Sequence, residues 1–367
     1  MDARTILEEQ WPYLLTYLPA SVDLEATARE FGALVRKRAV KSASTLLRLV
    51  LAYAVGGFSL RQTAAWAEAA EVASLSDVAL LNRVRRASDW VGFLLGAKLA
   101  ERASEPPRTG LRLRLIDATT VSLPGSEGTD WRVHLGVDAR RLAIDAIEVT
   151  DASGGETLRR FAVAPGEVLV ADAGYAHRAG LAAVRRAGGD FLIRLNWQNV
   201  PLQTPDGRPF DVLDAARRLG DGEVGDIPVR TAPAPRDGLP ALPARLVAVR
   251  KTEAAAAEAR ARVLRERSRK GRAVDPRALE AAAYVFVLTS VAPGILPGPR
   301  VLDLYRFRWQ IELAFKRLKG LLHLDDLTAR DPRLVRAFLG AKLLAALLLD
   351  DFTERFLAIS PWGFRLP

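Results

Sequence analysis

Cysteine is absent from the 367 residues, which excludes disulfides, thiol nucleophiles, zinc knuckles and iron–sulfur clusters. Histidine is nearly as scarce. His134, His177 and His323 are too scattered to build a metal cage without carboxylates. No apolar run is long enough to span a bilayer, and the longest, Phe338 to Leu349, is interrupted by Lys342. The opening stretch DARTILEEQW has neither the basic start nor the apolar centre of a signal peptide. A soluble cytoplasmic protein is expected, without a membrane partner, and no repeat of fixed period is visible.

What is present points to a packed protein with an anionic partner. The chain is long enough for two or three domains, and 49% of it is hydrophobic. The formal charge is +10. The excess is carried largely by arginine, whose guanidinium fits phosphate bidentately. GC-rich coding DNA would account for arginine over lysine, but not for the surplus of bases over acids.

Residues 1–107 carry apolar residues at helical spacing, and Ser76 with Asp77 marks a helix start. Helices on either side of 71–75 fit a helix-turn-helix bearing Asn82, Arg83, Arg85 and Arg86, and fit equally a helical bundle with a basic wet face. SEPPRTG, at 104–110, marks a boundary. Strands follow in LRLRLID (111–117), WRVHLGVDA (131–139) and LAIDAIEVT (142–150). Next come a short helix in SGGETLRRF, a buried strand VLVAD (168–172), a helix, and the strand FLIRL (191–195). Three antiparallel strands followed by alternating helix and strand describe a ribonuclease-H-like core, a mixed five-stranded sheet flanked by helices.

The segment from about 196 to 284, rich in proline, glycine and charge, reads as a β-rich insertion. YVFVLTS returns to the core, and one long helix is expected over about 299–321. The domains expected are therefore a helical DNA-binding part (1–107), a catalytic core (108–195), an insertion (196–284), the rest of the core (285–330) and a C-terminal helix (331–367). That last helix is apolar enough to pack on the core or on a second subunit.

With 43 acidic residues, a triplet of acids means nothing without position. Asp117 closes one apolar strand and Asp172 another, and open sheets place reactive groups at such strand ends. If the first and fourth strands are neighbours, the two carboxylates meet and repel unless a cation separates them. Hard oxygen ligands suit magnesium or manganese. Taken singly, each aspartate is as well explained by a capped turn.

A third element is YRFRWQIELAFKRLKG. Tyr305, Arg308, Glu312 and Lys319 stand at offsets 0, 3, 7 and 14. At roughly 100° per residue these fall within an arc of about 60°. Leu304, Phe307, Ile311, Phe315, Leu318 and Leu322 form an apolar stripe beside them. A carboxylate, a phosphate-binding Arg and Lys, and a tyrosine on one stripe suit a helix lining a cleft, although an i,i+4 Arg–Glu pair is common on ordinary helices.

Tyr305-x2-Arg308-x3-Glu312-x6-Lys319 matches, without a mismatch, the YREK signature of the insertion-sequence four (IS-four) family of DDE transposases. LIDATTVSLPG and VLVADAGY resemble that family's first and second acidic motifs, and SDVALLNRVRRA its N-terminal region. The resemblance implies metal-dependent cut-and-paste transposition by a homodimer acting on double-stranded DNA, both terminal inverted repeats and target. It implies two metal ions, Mg2+ or Mn2+, on Asp117, Asp172 and Glu312. Tyr305, Arg308, Lys319 and Lys316 would contact DNA, with Arg83 and Arg86 contributing from the N-terminal part, in a bacterial, nucleoid-associated setting. A hairpin intermediate is common in the family, and some members flip a base onto a tryptophan; Trp197 and Trp309 are the candidates here, and both also read as packing residues. His177, close behind the second acidic motif, reads as a solvent-facing helix residue. The same core also serves nucleases and resolvases without strand transfer, and a domesticated DNA-binding regulator is a further reading.

Overall fold

A computed structural model describes residues 10–103 and 111–359 apart from Pro124, Glu127, Lys270, Arg272 and Thr328. The boundary expected at 104–110 lies outside the described residues. The N-terminal part is helical: α1 (Trp11–Leu15), α2 (Leu24–Glu30), α3 (Ala43–Val55), α4 (Leu60–Ala69), α5 (Asp77–Arg86) and α6 (Ser88–Ala103). Four of these begin on side-chain caps, from Asp23, Ser42, Ser59 and Ser76, each worth about 1 kcal/mol. Leu46, Leu47, Leu49, Val50 and Leu51 are all buried, so α3 is apolar around most of its girth and sits at the centre of its layer.

Strands follow: β1 (Arg112–Val121), β2 (Trp131–Asp138), β3 (Ala143–Asp151) and β4 (Glu167–Ala171), then α7 (Arg178–Arg186) and β5 (Asp190–Arg194). SGGETLRRF, expected as a short helix, forms only a 3-10 turn over Leu158–Arg160. Next are β6 (Leu202–Gln203), β7 (Pro209–Phe210), α8 (Val212–Ala216), β8 (Val224–Thr231), β9 (Pro243–Arg250), α9 (Glu253–Arg269) and α10 (Pro276–Ala281). The chain closes with β10 (Tyr284–Thr289), α11 (Gly298–Phe307), α12 (Trp309–Leu322) and α13 (Pro332–Ile359).

All ten strands join one mixed sheet, in the order β3-β2-β1-β4-β5-β10-β9-β8-β6-β7. β1, β2 and β3 are antiparallel to one another, β4 and β5 run parallel to β1, and β10 is antiparallel to β5. The sheet is thus larger than the five strands expected. A strand edge left bare exposes unpaired amides and carbonyls, and β9 covers the far edge of β10 along its whole length.

Alternation along each strand separates two cores. Leu115, Val168, Val170 and Leu192 pack with the N-terminal helices and α11–α13 on one face. Ile116, Leu169, Ala171, Phe191 and Ile193 pack beneath α7 and α8 on the other. α13 packs on its own core: Leu334 through Leu348 are mostly buried, and the helix meets α3, α5 and α6. Among the described residues no helix is long and apolar enough to cross a membrane.

Candidate active site

The strand expected to end at Asp117 does not end there. β1 runs on to Val121, paired with β2, and Asp117 lies opposite Leu135. What stops is the pairing with β4, whose last partners are Ile116 and Ala171. β4 turns away because Asp172 caps a tight 3-10 turn, its Oδ1 accepting the Gly174 amide at 2.8 Å. Asp117 and Asp172 therefore each follow one member of that final pair, in the notch where two parallel strands part. Period-two alternation puts Asp117 on the face of Leu115, where α12 packs against β1.

The single helix expected over 299–321 is two helices meeting at Arg308. The ladder slips there to i−3 bonds, from the Arg308 amide to Tyr305 and from the Ile311 amide to Arg308. Neither proline nor glycine lies at the break. The Arg308 guanidinium bridges two acids: Nη1 is 3.3 Å from Asp117 Oδ2 and Nη2 is 2.8 Å from Glu312 Oε1. It also lies 5.8 Å from the centre of the Tyr305 ring. Tyr305 and Glu312 thus flank the guanidinium that meets Asp117. Arg308 is largely buried, whereas half of the Glu312 side chain is exposed.

Negative charge is crowded in the notch. Burial, with Asp172 and Glu156 adding to it, pushes the Asp117 carboxyl up to about 6 against the Ala118 amide and Arg308. Glu156, which the sequence reading passed over, is raised by burial and then by Asp172. Tyr175 is raised by burial, and then by the charges of Glu156, Asp117 and Asp172. Behind it, His134 is fully buried, 3.4 Å from Tyr175 Oη and 3.1 Å from Thr150 Oγ1, and burial pushes it down to about 4.

The other candidates lie farther along. Lys319 is 3.8 Å from Asp325, and Lys316 is exposed on the same helix. Arg83 donates to the Arg36 carbonyl at 3.0 Å, while Arg86 is exposed. Trp197 packs at the second core under the Arg277 guanidinium. Trp309, read as a packing residue, is instead 52% exposed and borders a cavity of about 210 Å³ with Tyr305, Arg308 and Leu302. His177 is exposed and stands at the start of α7.

The donors gathered here are all carboxylate oxygens, which suit a hard divalent cation. Among the described residues no three acids or histidines converge at ligating distance. Arg308 holds the place of a cation between Asp117 and Glu312. The residue types and the crowding fit a metal, provided the guanidinium gives way to it.

Residues 108–348 match the family described as the transposase DDE domain. The chain belongs to the DDE transposase family. It is 42% identical, over 96% of each chain, to the "putative transposase InsL for insertion sequence element IS186A" of Escherichia coli K12 and to the "transposase for insertion sequence element IS421" of Escherichia coli. These matches are consistent with the IS-four group. A likeness to a solved piggyBac transposase synaptic complex with hairpin DNA covers 97% of this chain and 81% of that one, at TM-score 0.42 and 9% identity, too distant to bear on mechanism. As a DDE transposase of an insertion sequence, the protein binds DNA, cuts it and transfers strands, in chemistry that depends on divalent metal ions.

Proposed function

We propose that this transposase excises its element by cutting both strands at the terminal repeats and joins the freed ends to target DNA, with Asp117, Asp172 and Glu312 as the metal ligands. The observation carrying this is the notch itself: two aspartates where parallel β1 and β4 part, faced by Glu312 through Arg308. The strand order β3-β2-β1-β4-β5 with that site supports a ribonuclease-H-like core. When bound, two divalent ions, magnesium or manganese, would activate the attacking oxygen and stabilise the leaving one.

The chain's own residues do the positioning. Arg308 neutralises Asp117 and Glu312 until a cation and a phosphate enter, then turns to the phosphate with Tyr305 beside it. Lys316 and Lys319 extend this basic line along α12. Arg86, exposed on α5, and Arg83 beside it contribute end binding from the helical part (1–107), while 108–195 and 285–330 form the core and 196–284 the insertion. Trp309, exposed beside Tyr305 and a cavity of about 210 Å³, supports a hairpin step in which it stacks on an unpaired base. The enzyme works as a homodimer on two ends, in the bacterial cytoplasm near the nucleoid. The C-terminal helix (331–367) remains the proposed dimerisation element through the faces its own core leaves open.

Glu312→Gln tests the assignment. Cleavage of end DNA is expected to be abolished while end binding, read by fluorescence anisotropy, stays within about twofold. Equal loss of binding and cleavage would remove Glu312 from the metal centre.

A further inference from the structure

We propose that Glu156 is a fourth acid of the metal centre, an inference that rests on the assignment of Asp117, Asp172 and Glu312 above. Glu156 lies in the loop between β3 and β4, just after Gly154 and Gly155. A side chain at Gly174 would strike Glu156 Oε2 at 1.9 Å and Asp172 Oδ1 at 3.1 Å. Gly174 does not have positive φ, so what its missing side chain leaves is space, and the Glu156 carboxylate takes it. Two carboxylates lean over one bare stretch of backbone.

Neither has the donors that a structural carboxylate would have. Among the described residues the nearest cation to Glu156 is Arg132, with Nε 4.0 Å from Oε1, beyond hydrogen-bonding reach. Arg132 instead donates through Nη1 to the Gly154 carbonyl at 2.8 Å. Asp172 accepts from the Gly174 amide, within its own turn. The same loop shows what an anchor looks like: Arg160 holds Glu148 at 2.7 Å and donates to the Gly155 carbonyl at 2.9 Å. With the loop fastened in that way, Glu156 is free to serve as a ligand. It would hold a cation together with Asp172.

The test is Mn2+ binding to the full-length protein, read by the electron paramagnetic resonance signal of free Mn2+, beside the thermal midpoint in metal-free buffer. Glu156→Gln is expected to weaken Mn2+ binding about tenfold or more, with the metal-free midpoint unchanged or raised because a repelling charge is gone. Glu156→Asp should recover part of the binding. Unchanged Mn2+ affinity in Glu156→Gln would overturn the inference, as would a lowered midpoint matched by Arg132→Gln, which marks a loop anchor. Asp117→Asn and Asp172→Asn separate the two levels. If they weaken Mn2+ binding and Glu156→Gln does not, only the fourth acid falls; if they have no effect either, the metal assignment itself fails.

Discussion

Acids gather near both ends of the parallel β1–β4 pairing, and the two ends treat them in opposite ways. Where β4 begins, Glu167 and Asp145 meet two arginines: Arg114 lies 3.0 Å from Asp145 and 3.2 Å from Glu167, and Arg112 lies 3.2 Å from Glu167. Acids and bases balance, and Glu167 is fully buried. Where β4 ends, Asp117, Asp172, Glu156 and Glu312 share Arg308 and the distant Arg132. The β1–β4 pairing thus has an ion-pair cluster at one end and an open acidic notch at the other. Balance of charge, more than burial, distinguishes the ion-pair end from the end proposed as the metal centre.

The largest expected difference is in chemistry. Asp117→Asn is expected to lower metal-dependent end cleavage by about 10³-fold or more, the equivalent of several kcal/mol of lost metal stabilisation, while Glu167→Gln should act on activity only through folding. Denaturant titration should show the reverse order for stability. Arg114→Met, which strands two buried acids, is expected to cost about 3–5 kcal/mol. Asp172→Asn, which relieves repulsion, should leave stability unchanged or slightly raised. Equal losses from both variants would erase the distinction between the ends.

His134 sharpens the contrast, because it stands behind the open end as a buried neutral group. Its folded pKa of about 4 lies below the ordinary 6.5, so the unfolded chain binds its proton first. The stability it supports is present above about 6.5 and lost as pH falls towards 4. Relative to His134→Gln, the wild type should lose about 1–3 kcal/mol across that window in denaturant midpoints measured at several pH values. A constant difference would mean that the imidazole titrates normally. The smallest effect is expected from Lys319→Ala, which should reduce the slope of log affinity against log salt for end DNA by about one. An unchanged slope would leave Lys319 with Asp325 only.

Much of the site was legible in the sequence because each of its parts interrupts a pattern. Asp117 and Asp172 stand out where apolar runs stop, and Tyr305, Arg308 and Glu312 stand out as polar residues bordering an apolar stripe. Glu156 was not legible. It sits in a glycine-rich loop without periodicity, and its importance arises only when the loop folds over Gly174. The helix break at Arg308 was hidden for a similar reason, since no proline or glycine signals it and one of the arginine's partners, Asp117, comes from a distant strand. Trp309 read as core because large aromatics usually are, and the break turns it outward. The ten-stranded sheet was missed because pairing across β10 joins segments whose local text looks like an insertion.

The most direct measurement is cleavage of DNA carrying the element's own ends by the purified protein with magnesium or manganese, beside Asp172→Ala, on a denaturing gel. Metal-dependent nicks at the ends with joined products, absent in the variant, are the expected result. End binding with no metal-dependent cleavage, or cleavage that survives Asp172→Ala, would contradict the assignment of the notch as the catalytic centre.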